Sequence, residues 1–252
     1  MKPLFPKWTN LIPHAFLAGF LGLAFLLISA TWYYATPKFW EVGYMPDQPI
    51  DYSHQIHASK LGMDCLYCHT YVTDSYVANV PSTSTCMNCH TVVDDKSGYL
   101  KAAMSADGSS PSAHWTNPQL VKLREYWASG EAIPWARVNK LPDYVQFNHS
   151  AHVNAGVSCY SCHQRIDTMP KVYQAESLSM GFCLECHRAP EHSLVDVHGV
   201  IDEDGHDVPI RVTDLATVQD LLTSPDYAQN VGARLAERLR SAPPQHCAAC
   251  HY

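Results

Sequence analysis

The feature that most constrains this chain is a five-residue motif, Cys-x-x-Cys-His, which occurs five times in 252 residues. Two thiols with two residues between them can add across both vinyl groups of one porphyrin, and the His that follows then lies beneath the iron as its proximal ligand. The motifs contain all ten cysteines of the chain, so no thiol remains for a disulfide. The thiols are those of Cys65, Cys68, Cys86, Cys89, Cys159, Cys162, Cys183, Cys186, Cys247 and Cys250, and the proximal histidines are His69, His90, His163, His187 and His251.

Paired cysteines have two other common uses, which this motif fits less well. Four thiolates can bind zinc, but zinc ligation gives no reason for a His directly after every pair. A Cys-x-x-Cys redox pair needs neither that His nor five copies. The sequence therefore predicts five covalently bound haem c groups, one for each motif.

Five haems in a chain of this length determine the expected fold class. The chain is 46% hydrophobic and contains 17 prolines, which alone would make a modest core. Porphyrin faces supply apolar surface in place of side chains. We expect a mainly α structure with much irregular coil and no sheet of note, a multihaem cytochrome c wrapped around five covalent haems, plus one transmembrane helix.

An apolar segment near the N-terminus predicts that helix. Residues 11–34 contain no Asp, Glu, Lys or Arg, and about 20 such residues span a bilayer as a helix. Lys2 and Lys7 precede the segment, so the positive-inside rule places the N-terminus in the cytoplasm. A cleaved signal peptide is the alternative, but its apolar region is shorter and small residues follow it, whereas bulky aromatic residues close this segment. We expect a single-pass protein of the bacterial inner membrane with its haem domain on the periplasmic side, where haem c is attached.

Residues 52–90 and 147–187 form an internal repeat. Each copy begins with a His-x-x-His pair, and two haem motifs follow at nearly equal spacings. Residues three apart on a helix share a face, so one imidazole can be the distal ligand of the haem that follows while the other reaches a neighbouring haem. We expect the first His of each pair to serve the first and third haems. The pairs are His54 with His57 and His149 with His152.

Four distal histidines leave the fifth iron with another sixth ligand or with none. A methionine thioether would raise its reduction potential relative to His. Met180 is the first candidate and Met169 the second, because both flank the fourth-haem region, although a buried Met is more often core packing. The other candidates by residue type are His114, His192, His198, His206, His246, Met45, Met63 and Met104.

The remaining sequence divides the chain into six segments. They are a cytoplasmic N-terminus (1–10), the anchor (11–34), a first haem-pair module (35–95), a connector (96–140), a second haem-pair module (141–190) and a tail with the fifth haem (191–252). In the connector, a polar stretch from about residue 94 to 111 precedes a predicted helix. Asn117 and Pro118 begin that helix and Gly130 ends it, and its apolar face carries Leu120, Leu123 and Trp127.

The tail begins with a predicted loop over residues 188–212 and continues with two short helices. Thr213 is predicted to cap the first, and Ser224 with Pro225 to begin the second, which ends before Pro243 and Pro244. Apolar residues at helical spacing predict the buried faces. These residues are Leu215, Val218 and Leu222 in the first helix and Tyr227, Val231, Leu235 and Leu239 in the second.

The charge of the chain argues against a nucleic-acid partner. Net charge is −7, and the chain beyond Lys2 and Lys7 has 15 basic against 24 acidic residues, about −9. An acidic surface repels phosphate backbones. It suits a basic redox partner, although solvation alone also explains it.

At these residues the sequence resembles a known family. The anchor, the five motifs, the segment from Ile133 to His152 and the segment from Leu178 to Glu191 together resemble the pentahaem cytochrome c subunit of alternative complex III, a bacterial quinol:electron-acceptor oxidoreductase. More broadly they resemble multihaem cytochromes c of the class III or c7 type. The similarity is clearest over residues 50–95 and 133–191 and weak in the connector and tail. Asn139 stands where the family pattern often has His.

This resemblance implies partners and a role. The partners would be an iron–sulfur subunit similar to molybdopterin enzymes and polytopic membrane subunits that oxidise quinol. A monohaem cytochrome c or an oxidase would accept the electrons. We therefore expect an electron-transfer subunit of an oxidoreductase complex, with no substrate site of its own.

Two other functions fit parts of the sequence. A multihaem nitrite or hydroxylamine reductase would need an open iron position, and none of the five motifs replaces its His with Lys as in the nitrite reductase family. A stand-alone quinol dehydrogenase of the small anchored tetrahaem type would oxidise quinol at its own haems. Five motifs and the long tail count against this second alternative.

Overall fold

The structure is a computed structural model that describes residues 5–36, 39, 41–90, 117–197, 200–201, 207–208, 210–239 and 242–251. The predicted polar stretch of the connector lies outside these residues. The described part is mainly helical, with long irregular segments between short elements. Its α-helices are α1 (Ile12–Ala35), α2 (Cys65–Cys68), α3 (Thr83–His90), α4 (Pro118–Ser129), α5 (His149–Asn154), α6 (Tyr160–His163), α7 (Met180–Arg188), α8 (Leu215–Leu222) and α9 (Ala233–Arg238).

Shorter helical turns connect these elements. Two segments have π-helical hydrogen bonding, at Gln55–Lys60 and Ala228–Gly232. The 3-10 turns are Lys7–Leu11, Ile166–Thr168, Pro190–His192 and Cys247–Ala249. Two strands of two residues each, β1 (Val200–Ile201) and β2 (Asp207–Val208), pair antiparallel within the segment that the sequence predicted to be loop.

Helix α1 confirms the predicted apolar segment to within one residue at each end. It is long and apolar enough to cross a membrane, and none of its residues is buried against the rest of the chain. A helix that is apolar on all sides and unburied lacks the single apolar stripe of a helix on a soluble core. The structure is thus consistent with an N-terminal membrane anchor.

Helix α4 confirms the capping prediction. The side chain of Asn117 accepts a hydrogen bond from the Gln119 backbone N–H, Pro118 occupies the first helical position, and Gly130 ends the helix with a φ of +72°. The predicted apolar face was partly wrong. Leu123 is buried and Leu120 packs beside it, but Trp127 is 48% exposed and Tyr126 takes its place against the core.

Two small clusters of buried side chains lie in the described residues. The first contains Ile50, Met87, Leu123 and Ile133, so it joins the first module to the connector. The second contains Val195, Val212 and Val218, so it joins the tail to the second module through Val153 and Tyr160 at its edge. Neither cluster is large, which agrees with a fold that depends on apolar groups other than side chains.

The two repeats bind each other through matching contacts. In the first copy, the Gln55 backbone N–H donates to the Met169 carbonyl over 3.1 Å, just after the third motif. In the second copy, the His149 backbone N–H donates to the Tyr76 carbonyl over 3.0 Å, just after the first motif. Each His-x-x-His pair therefore lies against the loop that follows the other copy's leading haem motif.

Two predicted helix starts in the tail were wrong. Asp214, one residue after the predicted Thr213, caps α8 by accepting from the Thr217 backbone N–H, while the Thr213 hydroxyl donates to the Asp64 carboxylate. The second predicted helix of the tail begins near Ala228 rather than at Ser224. The predicted inward residues of α8 are confirmed, since Leu215 and Val218 are buried and Leu222 packs against the second cluster.

Gly156 provides a test of how the tail is attached. Its φ of +91° is unfavourable for other residues, and an added Cβ would lie 2.7 Å from the Val195 carbonyl oxygen. We expect Gly156→Ala to lower the free energy of unfolding by about 1–3 kcal/mol. Gly43→Ala is the matched control, because Gly43 has a φ of +85° but open space around its Cβ position. Chemical denaturation would measure both, and equal losses would mean that contact with Val195 contributes nothing.

Candidate haem-binding site

The backbone of the attachment motifs places each His one turn from its first cysteine. The backbone N–H of His69 donates to the Cys65 carbonyl, and the third and fifth motifs repeat this bond over 2.9 and 3.0 Å. Asp64 caps the first motif's helix and Ser179 caps the helix that contains the fourth. One helical turn therefore gathers two thiols and an imidazole at one face, as a single porphyrin requires.

The second His of each repeat is held by its own helix. His57 Nδ1 lies 2.8 Å from the Ser53 carbonyl oxygen, and His152 Nδ1 lies 2.8 Å from the Asn148 carbonyl oxygen, four residues earlier in both cases. A carbonyl can only accept, so each bond fixes the proton on Nδ1. The Nε2 atom is then left unprotonated, which is the form that binds a metal.

These two imidazoles each face a proximal His. The ring centroids of His57 and His90 lie 6.2 Å apart, and those of His152 and His187 lie 6.0 Å apart. Metal–nitrogen bonds of about 2 Å on either side, plus about 1 Å from nitrogen to ring centre, put two imidazoles on opposite sides of one metal about 6 Å apart. The residues present therefore fit haems at the second and fourth motifs, each with a His on both faces.

Outside these two pairs, His54, His69, His149 and His163 interact as one cluster between the repeats. Burial, with smaller effects of His69, His57 and His163, lowers the pKa of His54 to about 4. Burial likewise lowers the pKa of His163 to about 4, with smaller effects of His149 and His69. The cluster has candidate ligands for two irons, those of the first and third motifs, and the lowered pKa values of His54 and His163 favour the neutral form that binds metal.

An aromatic ring supports each His-x-x-His pair. Tyr52 stacks on His57 at 4.4 Å between centroids and meets His54 edge-on at 5.0 Å. Phe147 lies in the same relation to its pair, at 4.4 Å from His152 and 4.8 Å from His149. The sequence reasoning missed these rings, although both stand two residues before the pair in the repeat.

The first three motifs are adjacent in space. Asn88 of the second motif donates to the Tyr67 hydroxyl of the first over 3.2 Å. The first and third motifs meet beside one tail segment, where Cys65 Sγ lies 4.0 Å from the Thr213 carbonyl oxygen and the Cys159 backbone N–H donates to Val212. A hydrogen bond with Cys159, together with burial, raises the pKa of the Cys65 thiol.

The last three motifs are also adjacent. Burial, with smaller effects of the Cys186 and Cys183 thiols, raises the pKa of Cys162 to about 12. His187 Nδ1 donates to the Pro244 carbonyl over 2.6 Å, which brings the segment before the fifth motif to the fourth. Burial and the nearby Cys250 raise the pKa of Cys183. In space the motifs thus follow the order second, first, third, fourth, fifth.

The candidates for the sixth ligand of the fifth iron are spread across the fold. Met180 is 69% exposed and lies three residues before Cys183 on one face of α7, next to the fourth motif. Met169 is 4% exposed and its carbonyl serves the first repeat. Met45 is half exposed, and His192 and His246 lie in or beside short 3-10 turns of the tail. His114, His198, His206 and Met104 lie outside the described residues.

The cysteines are not grouped as a zinc site would group them. In the described ranges, no three His, Cys, Asp or Glu side chains converge as ligands of one metal ion. A structural zinc site needs four such ligands in a tetrahedron. Haem attachment needs only two thiols and one imidazole per motif, which is what each motif presents.

Comparison with known proteins gives one relative and no family model. No family model matches the chain. Among curated proteins, the chain is 28% identical over 194 residues to a protein of Nitratidesulfovibrio vulgaris named "Menaquinone reductase, multiheme cytochrome c subunit". The matched region is 69% of this chain and 81% of that relative. The similarity therefore extends beyond the motifs themselves.

The ring of Tyr52 can be tested separately from its hydroxyl. We expect Tyr52→Phe to keep the visible spectrum of the haem-loaded protein, because Phe147 does the same work in the other repeat. Tyr52→Ala removes the stacking surface, so His57 and His54 lose orientation and a high-spin fraction forms. Absorbance and electron paramagnetic resonance would measure this fraction. If Tyr52→Phe were as disruptive as Tyr52→Ala, the hydroxyl and not the ring would be the important group.

Proposed function

We propose that this chain is a membrane-anchored multihaem cytochrome c, an electron-transfer subunit of a complex of the quinol-oxidoreductase type. Its five motifs would hold five covalent haem c groups. The name of the Nitratidesulfovibrio relative supports the multihaem class and the role as a subunit. The finer assignment to alternative complex III is the part of the proposal that rests on sequence resemblance.

The observation that carries the proposal is the facing of the imidazoles. His57 with His90 and His152 with His187 supply protein ligands for both sides of an iron. The bound haem supplies reversible one-electron chemistry between ferrous and ferric iron. For the irons of the second and fourth motifs, the protein would supply both ligands and leave no position for a substrate, which favours electron transfer over nitrite or hydroxylamine reduction.

The order of the motifs supports a path through the protein. The second motif lies at one end and the fifth at the other, and the first and third meet at Cys65 and Cys159. We propose that electrons follow this order or its reverse. The first and third motifs belong to different repeats, so the proposed path crosses between the modules at this junction.

Met180 is our proposed ligand for the fifth iron. Its side chain is exposed, and it lies three residues before Cys183 on the same helix. The pKa of the Cys183 thiol is raised in part by the nearby Cys250 of the fifth motif. Met169 is the weaker candidate, because it is buried next to the first repeat. A thioether ligand would give the fifth position the highest reduction potential and make it the downhill end of the path.

The anchor supports the proposed orientation, and the family resemblance supports the proposed partners. Lys7 at the start of the apolar helix supports a cytoplasmic N-terminus and a periplasmic haem domain. The neighbours implied by the resemblance are an iron–sulfur subunit, polytopic quinol-oxidising subunits, and a monohaem cytochrome c or oxidase as acceptor. The acidic balance of the chain suits such an acceptor and not a nucleic acid.

The name of the relative also supports a second candidate, in which electrons run towards quinone. A menaquinone reductase passes electrons to its quinone, whereas alternative complex III takes them from quinol. The two are distinguished by adding a quinol analogue to membranes that contain the intact complex. Rapid reduction of the haems by the quinol would favour electron flow from quinol. Oxidation of pre-reduced haems by the matching quinone would favour electron flow towards quinone.

A redox titration followed by low-temperature electron paramagnetic resonance tests the function. We expect five low-spin haems per chain, four with spectra of paired His ligands and one at higher potential. Haem content by the pyridine haemochrome method is the control for complete loading. A high-spin haem that rapidly binds added nitrite or cyanide would contradict the proposal and favour a reductase.

The Met180 assignment predicts a selective change in one haem. Met180→Ala should remove the high-potential low-spin component and create a high-spin one, while Met180→His should keep it low-spin and lower its potential. Met169→Leu is the control, since this swap conserves volume in a buried site. Loss of the high-potential component in Met169→Leu, with no change in the Met180 variants, would reverse the assignment.

A further inference from the structure

The proximal imidazole of His163 has a side-chain partner, whereas those of His69, His187 and His251 have a backbone carbonyl. Among the described motif and distal histidines, six place Nδ1 against a backbone carbonyl oxygen. His163 of the third motif instead lies with Nδ1 3.4 Å from the side-chain amide nitrogen of Asn139. The partner of the third motif's His can therefore be changed by a substitution without altering the main chain.

The segment that carries Asn139 is held in place. Gln48 forms two hydrogen bonds of 2.9 Å with the backbone of Ala136, one to its carbonyl oxygen and one from its N–H. The Arg137 side chain donates to the Asn139 carbonyl over 3.0 Å, and the Lys140 ammonium lies over the Tyr44 ring at 5.0 Å. These contacts attach the segment to residues 44–48 on one side while Asn139 faces His163 on the other.

The amide can serve both protonation forms of the ring. In the observed contact the amide nitrogen of Asn139 donates to an unprotonated Nδ1. When Nε2 binds a metal, the ring keeps its proton on Nδ1 and can only donate. A half-turn of the amide about its Cβ–Cγ bond then presents the oxygen of Asn139 to the same atom, a change that a carbonyl fixed in the backbone cannot make.

We propose that Asn139 is a positioning residue that orients His163 and sets its strength as a proximal ligand. The proposal rests on the proposed haem-binding function. The group that hydrogen-bonds to Nδ1, the ring nitrogen that does not bind the metal, controls both the orientation and the basicity of the imidazole. A stronger acceptor makes the imidazole a stronger donor to iron, which stabilises the ferric state and lowers the reduction potential. A neutral amide is a weaker hydrogen-bond acceptor than a carboxylate. Asn139 therefore keeps the reduction potential of the third motif's haem above the value that an acidic residue would give.

Two substitutions at Asn139 have opposite predicted effects. In the full-length, haem-loaded protein, Asn139→Asp should shift one of the five titration components to lower potential, because a carboxylate is the stronger acceptor. Asn139→Leu should shift the same component to higher potential, because the acceptor is lost. Asn139→Gln should return it towards the original value. Spectroelectrochemical titration would measure these shifts.

Asn154 provides the matched control. It is exposed, and its amide donates to the Thr73 carbonyl and not to a ring. Asn154→Asp adds the same charge, and Asn154→Leu the same apolar side chain, so any general effect of either change on potentials would occur here too. We expect all five components to stay in place in both control variants.

Three outcomes would overturn the proposal. Asn139→Asp and Asn139→Leu could shift a component in the same direction, which would indicate loosened packing. They could leave all five components unchanged, which would mean that His163 does not depend on the amide. The Asn154 variants could reproduce the shifts, which would assign them to surface charge. Failure of the haem-binding function is a separate result, since the unsubstituted protein would then lack five titrating components.

Discussion

Hydrogen bonds between imidazole Nδ1 atoms and backbone carbonyls are the interaction on which the rest of the arrangement depends. Such a bond fixes where the ring proton lies, how the ring is turned and which nitrogen remains for a metal. In His57 and His152 the carbonyl comes from the same helix. In His149 and His187 it comes from Tyr76 and Pro244, far away in the sequence. Ligand geometry in this protein is therefore a property of tertiary packing as much as of the motifs.

The packing is organised around the boundary between the repeats. Each His-x-x-His pair lies against the loop that follows the other copy's first motif, and a cluster of four imidazoles fills the space between. In the part of the chain that the structure describes, buried side chains form two small apolar clusters. Haem groups bound as proposed would stabilise the folded chain, because the unfolded state does not hold such groups in place, and folding would then be coupled to cofactor attachment.

The two copies are similar in geometry but differ in chemistry. Tyr52 and Phe147 occupy equivalent places beside their histidine pairs, and burial beside the thiols of the first module raises the pKa of the Tyr52 hydroxyl. Only the first pair thus has a hydroxyl in its aromatic support. Differences of this kind would let the two modules hold the proposed haems at different reduction potentials, because hydrogen bonds and burial around a haem tune the potential of its iron. A gradient of potential along the proposed path would then need no change of iron ligands.

The sequence by itself predicted the attachment chemistry and determined much of the local structure. Five motifs with no spare cysteine, the apolar segment, the duplicated His-x-x-His pairs and the caps at Asn117 and Gly130 are short-range patterns, and short-range patterns determine attachment, membrane affinity and helix ends. Tertiary structure decided the rest. It put Tyr126 instead of Trp127 on the core, placed the motifs in the order second, first, third, fourth, fifth, and brought Asn139 to His163 across 24 positions. These outcomes depend on which surfaces meet when the two modules and the tail pack together, and a contact between distant segments leaves no periodic signal in the chain.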